Sequence, residues 1–153
     1  MPTYTSGNGA FTPSTSADNW VADSQTAGVF FKVVAIGWGG QLTTSTGYRT
    51  RWTRPTTAGS STFTALVNAY HQPNYTSLGS RVGTFATNAT LAADPGGNLW
   101  AQSWNAQGGV GMVVMPLANP WWCVNGILQG QIACRNINGT DANGSSYEVT
   151  IEE

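Results

Sequence analysis

Seven carboxylates, one imidazole and two thiols are all that this chain offers for acid, base or nucleophilic chemistry. Cleaving a glycosidic bond needs two carboxylates facing each other across it. No carboxylate lies between Asp23 and Asp94, and the acids present fall in turns, in the N-terminal segment or on outward positions of the last strand. They read as solvated side chains rather than an acid/base pair. His71 stands alone in a Gln-Pro-Asn loop with no Gly-x-Ser-x-Gly elbow, which predicts a loop hydrogen bond rather than a triad or a metal site. Gly37-Trp38-Gly39-Gly40 is glycine-rich, but neither a helix nor Gly-Lys-Ser/Thr follows, so it reads as a turn and not a phosphate cradle. Cys123 and Cys134 are too few for a zinc site or a disulfide framework, and read as two small buried hydrophobes or, if their strands adjoin, as one pair. The expectation is a non-enzyme with no catalytic residue, no cofactor and no metal.

Binding chemistry is better represented. Arg49 and Arg51 alternate with Tyr48, Thr50 and Trp52, so two guanidinium groups leave one face of a strand, and Arg54 follows just before Pro55. No acid lies near them in sequence. They are answered either by Glu148 or Glu152 of the last strand or by an acidic surface on another protein, where a guanidinium gains from bidentate geometry. Seven tryptophans are the second signal. Neighbours on a strand face opposite ways, so one of Trp121 and Trp122 lies outside or at an interface. The tryptophans read equally as large core fillers with one or two half-exposed, as anchors between subunits or, with Trp100, Trp104 and Trp121 as a set, as a stacking platform for sugar rings.

The elements that must position these side chains are strands. Residues 29–38 are apolar on both sides of their alternation, with Phe30, Val34 and Ile36 against Val29, Phe31, Val33 and Ala35. That predicts a central strand covered on both faces, or one at a seam between proteins. Residues 48–54 return as a half-buried strand, and 80–87, 98–104, 110–115, 121–128 and 131–137 follow. The last strand sets Tyr147, Val149 and Ile151 against Glu148, Thr150 and Glu152. Residues 62–70 fit a strand or a helical turn equally. Asp94-Pro95-Gly96-Gly97 predicts a turn, as do Asn138-Gly139 and Asn143-Gly144 with positive φ. About eight or nine short antiparallel strands without an amphipathic helix or a repeat make an all-β fold, a single β-sandwich of jelly-roll type.

At 153 residues the chain fits one domain. Only 8% of residues are charged, against about 25% in an average soluble protein. A polar but nearly uncharged surface does not hold copies or neighbours apart. The net charge of −1 argues against nonspecific nucleic-acid binding, which needs clustered Lys and Arg. No apolar run is long enough for a bilayer, and the first residues lack the regions of a signal peptide, so synthesis in a cytoplasm is expected and no membrane partner.

Residues 1–18 are polar and aperiodic apart from Tyr4 and Phe11, and read as an extended N-terminal arm docking through those two anchors, with 19–153 as the sandwich domain. The arm Met-Pro-Thr-Tyr…Gly-x-Gly-x-Phe-Thr-Pro is followed by Val33-Val34-Ala35-Ile36-Gly37, Tyr48-Arg49-Thr50-Arg51-Trp52, His71-Gln72-Pro73-Asn74 and a terminal Tyr147–Glu153 strand. In this layout, over nearly its full length, the chain resembles small bacteriophage virion proteins of the β-sandwich capsid decoration, or cement, type. The resemblance implies a jelly-roll-like subunit that forms a homotrimer on the outer surface of a phage head and clamps neighbouring subunits of the major capsid protein. It implies synthesis in the host cytoplasm and residence in the virion, and brings no catalytic residues. On that reading the partner-binding residues are Tyr4, Phe11, Arg49, Arg51, Arg54, Trp121 and Trp122, the arginines meeting acidic capsid loops. A tail or fibre component and a carbohydrate-binding β-sandwich module are the alternatives.

Overall fold

The computed structural model describes residues 2–24, 26, 28–57, 59–91, 97–115, 121–124 and 130–153. They form strands and no helix: β1 (Thr3–Phe11), β2 (Trp20–Ser24), β3 (Phe30–Gly40), β4 (Gly47–Thr53), β5 (Pro55–Thr57), β6 (Ser60–Ala65), β7 (Val67–Tyr70), β8 (Ser80–Thr87), β9 (Thr90–Leu91), β10 (Asn98–Asn105), β11 (Val110–Val114), β12 (Trp121–Val124), β13 (Ile132–Asn138) and β14 (Ser145–Glu152). A first antiparallel sheet runs β11-β3-β14-β1-β7, with β12 also on β3, and a second runs β10-β4-β13-β2-β8-β6. β5 and β9 pair separately.

Alternation decides which face of each strand is buried. On β14, Tyr147, Val149 and Ile151 are buried while Glu148 is exposed, and on β4 Tyr48, Thr50 and Trp52 are buried, both as the sequence predicts. The two sheets share one core. Phe31, Val33, Ile36, Val149 and Ile151 of the first pack with Trp20, Trp52, Val82, Ile132 and Cys134 of the second. Each large aliphatic or aromatic side chain removed from water contributes about 1.5–3 kcal/mol. Cys123 and Cys134 are buried free thiols on β12 and β13, in different sheets. Gly139 and Asn143 take positive φ at the turns expected of them.

The pairing nests. β6 pairs with β8, β5 with β9, β4 with β10, β3 with β11 and β12, and β2 with β13, so the middle of the chain is one long antiparallel hairpin folded over itself. β11 and β12 lie end to end along the same edge of β3, opposite Ala35–Gly39 and Phe30–Val33.

Three sequence expectations are corrected. Residues 3–11 are not an arm but β1, hydrogen-bonded between β14 and β7. Tyr4 is fully buried, its hydroxyl 2.7 Å from Ser80 Oγ, and burial raises its pKa. Phe11 packs on the core, its ring 5.2 Å from that of Tyr147. The polar composition of the segment concealed a strand because its backbone finds partners on both sides. Gly37-Trp38-Gly39-Gly40 is not a turn but lies within β3, where a methyl on Gly40 would fall 2.3 Å from the Ala106 carbonyl oxygen. On β3 a register shift opposite Thr150/Ile151 switches the alternation, so Phe31, Val33 and Ile36 face inward and Phe30 outward. Of the two readings open for residues 62–70 the strand holds, as β6 and β7, which belong to different sheets. The remainder of the 121–128 strand beyond β12 lies outside the described residues, as does most of the 94–97 turn.

Candidate functional site

Most charged side chains are consumed inside the molecule. Lys32 and Glu152 face each other across β3 and β14 at 2.8 Å, and Arg81 meets its register partner Asp23 at 2.8 Å while its guanidinium lies 4.0 Å from the Phe63 ring. Arg135 donates to Asp18 at 2.6 Å. Burial raises the Asp18 carboxyl pKa, opposed by the hydrogen bond and charge of Arg135 and by the field of Arg51. Tyr48 donates to Asp141 at 2.8 Å, and burial together with that carboxylate lifts the phenol to about 12. Glu153 accepts from the backbone N–H groups of Leu78 and Ser80 at 2.9 Å, from Ser77 Oγ at 2.7 Å, and from the hydroxyls of Tyr75 and Ser80. Burial alone would raise this carboxyl, but these bonds outweigh it and hold the pKa at about 2. His71 makes its loop contacts, Nδ1 with Thr3 Oγ1 at 3.1 Å and Nε2 with Thr5 Oγ1 at 2.9 Å. Among the described residues no three His, Cys, Asp or Glu side chains gather as metal ligands.

The seven expected contact residues are dispersed. Tyr4, Phe11 and Trp121 pack on the core. Tyr4 is fully buried and has no surface to offer a partner, which corrects it as a docking anchor, while Phe11 and Trp121 are half-buried with one side against the core. Trp122 is exposed on the outer side of β12, with the Lys32 ammonium 5.5 Å from its ring centroid. Arg54 donates to the Trp122 carbonyl at 2.7 Å, tying β12 to the end of β4. Arg49 and Arg51 are half-buried on β4, whose neighbours are β10 and β13, while β14 belongs to the other sheet. Arg51 stands in register with Arg135, and both act on Asp18. The tryptophan trio is not brought together: Trp104 and Trp121 pack against the core from different sheets, and Trp104 donates to Thr50 Oγ1 at 3.1 Å.

The exposed apolar surface lies elsewhere. On β11 the outward residues Val110, Met112 and Val114 are 82%, 71% and 63% exposed, and Phe30 and Trp122 extend the stripe along the same sheet edge. From Pro95 to Cys134 the sequence carries no charge. Beside the stripe the outer face of the first sheet is floored by glycine. Met112 stands opposite Gly37, Gly37 opposite Glu148, Glu148 opposite Gly7, and Gly7 opposite the exposed Val67, so one row crosses all five strands of the β11-to-β7 path. The next row out begins Val110, Gly39, Ser146. As far as Gly7, these rows, with Asn8, Gly9 and Gln41, line a trough of about 690 Å3.

Sequence reasoning missed this surface, although its signal was present. Gly7-Asn8-Gly9 and Gly37-Trp38-Gly39 place glycines two apart, on one face of a strand, and the long uncharged run marks the edge beside them. Comparisons with family models, curated proteins and solved structures found no match to this chain.

Proposed function

We propose that this chain is a structural protein of a bacteriophage particle, a capsid decoration protein that seats on the outer surface of the head and clamps subunits of the major capsid protein. The observation that carries the reading is the apolar stripe Phe30, Val110, Met112, Val114 and Trp122, exposed along one sheet edge with no charged side chain on β11 or β12. Apolar side chains exposed in a row of this kind mark a protein contact, and covering each of them contributes about 1.5–3 kcal/mol before the losses of association. The scarcity of charge over the whole chain supports assembly in the same sense. The nested strand pairing supports the finer fold assignment, a sandwich of jelly-roll type, since a folded-over hairpin is how such a fold is wound. Self-association as a trimer belongs to the same reading and uses the same uncharged edge.

Light scattering coupled to size exclusion, followed by cosedimentation with purified heads lacking the chain, tests the proposal. The expected result is a trimer that saturates the heads and protects them from osmotic shock. A monomer that stays in the supernatant at every head concentration overturns it.

A further inference from the structure

We infer that the glycine-floored trough on the outer face of the first sheet receives a basic side chain, arginine or lysine, carried on an extended segment of a protein partner. The inference rests on the assembly reading above and names the chemistry which that partner must present.

Glu148 stands in the middle of the trough. Asp18, Asp23, Asp141, Glu152 and Glu153 are each answered by an arginine, a lysine or a set of hydroxyl and backbone donors. Among the described carboxylates, Glu148 alone makes no hydrogen bond or ion pair, and it is exposed. Its register partners on both neighbouring strands are glycines, so no side chain rises on either side to cover it or pair with it. The two glycines are not equivalent. A methyl on Gly7 would lie 3.2 Å from Glu148 Cγ, whereas one on Gly37 would meet nothing nearer than Glu148 Cβ at 3.9 Å. The carboxylate side chain therefore leans over Gly7 and leaves the floor at Gly37 bare. Beyond Gly37 the row ends at Met112, an aliphatic wall roughly two strand spacings, about 10 Å, from the Glu148 column.

An aliphatic wall, an open backbone floor and a lone carboxylate match the parts of an extended basic side chain. Its methylenes lie over Gly37 against Met112 and its cation reaches Glu148. Asn8, Gln41 and Ser146 at the rim offer hydrogen bonds to the segment that carries it. A sugar ring is served less well, because the aromatic residues of the lining turn inward: Tyr147 is buried, and Trp38 packs against Trp52 with ring centroids 5.7 Å apart.

Titration of the 15N-labelled protein with acetyl-Val-Arg-Val-amide, and with the same peptide carrying citrulline, tests the inference. The arginine peptide should shift the amides of Gly7, Gly37, Gly39 and Met112 saturably. Citrulline in the peptide, or Glu148→Gln in the protein, should weaken binding about tenfold or more, the loss of one charged hydrogen-bond pair. Gly37→Val fills the floor where a methyl has room, and should abolish binding with the carboxylate intact. Equal response to the two peptides, or no shift at the glycine amides, overturns the inference. Shifts at those amides from xylo- or chito-oligosaccharides but not from the arginine peptide overturn it in favour of a saccharide site. Cosedimentation with heads keeps the two readings apart. If Glu148→Gln binds heads as the wild type does, this inference falls and the assembly reading stands. If the wild type ignores heads while the arginine peptide still discriminates, the assembly reading falls and the trough remains a basic-residue site.

Discussion

Ser80 binds the Glu153 carboxylate twice, through its backbone N–H at 2.9 Å and through its hydroxyl, and both donate to the same oxygen. With Tyr75, Ser77 and Leu78 completing the shell, the 75–80 loop is closed onto the end of the first sheet by one ionised group. The folded pKa of about 2 lies below the ordinary 4.5, so the stabilisation is present above pH 4.5 and is lost as pH falls toward 2. Allowing for solvent screening, it amounts to about 1–2 kcal/mol. Glu153→Gln should lower the thermal midpoint at pH 7 and flatten the acid limb of the stability curve. An unchanged acid limb in that variant would contradict the assignment.

Asp18 shifts the other way. Its carboxyl is buried and raised, and the Arg135 guanidinium is the strongest influence opposing burial. Asp18→Ala leaves the half-buried Arg135 beside Arg51 without its counterion and with only the Ala89 carbonyl as acceptor, and should cost about 2–3 kcal/mol in chemical denaturation. Replacing both Asp18 and Arg135 by apolar residues should recover part of that loss.

Gly139 holds φ +83°, and a methyl there would sit 2.0 Å from Tyr48 Cδ1. Gly139→Ala combines a left-handed backbone with overpacking against a fully buried ring, and should destabilise by about 2–4 kcal/mol. Asn143, also at positive φ, has an open side chain, and Asn143→Gly should be neutral or slightly stabilising in the same assay.

Cys123 and Cys134 are fully buried, and burial raises both thiol pKa values. Neither should react with a thiol reagent in the native state. Labelling should track global unfolding across a denaturant series, and fast labelling in buffer would show that the core opens locally.

Val110, Met112 and Val114 leave the core untouched. The triple serine variant should keep its denaturation midpoint within about 0.5 kcal/mol and lose head binding. Retained binding would move the contact to another face.

What the sequence made legible was alternation. Tyr147, Val149 and Ile151, and Tyr48, Thr50 and Trp52, face inward as their spacing predicts, because each strand has one wet and one dry side. Legibility failed where pairing overrode pattern. Thr3–Phe11 has almost no apolar content, yet two neighbouring strands take its backbone. Gly37–Gly40 carries turn residues but serves as the flat part of a face. The arginine stripe drew attention because its acids are remote in sequence, and Asp18, which acts on Arg51, stands in the segment read as an arm. Glu148 carried no signal of its own. Its isolation became visible only when Gly7 and Gly37, thirty residues apart and far from it in the chain, were set on either side of it.

β14, the last strand, lies between β3 and β1. A ribosome therefore delivers the piece that joins these two only after both have been made and have waited with open edges. Contacts spanning almost the whole chain make folding slow, on the order of milliseconds to seconds for such topologies. The nested hairpin offsets this, since β6–β8 is its innermost pair, enclosing only residues 66–79, and each outer pair then closes onto an existing edge. Until residue 145 emerges, the flat glycine-rich side of β3 is an aggregation template, and expression yield should respond to chaperone supply more steeply than the stability of the finished fold suggests.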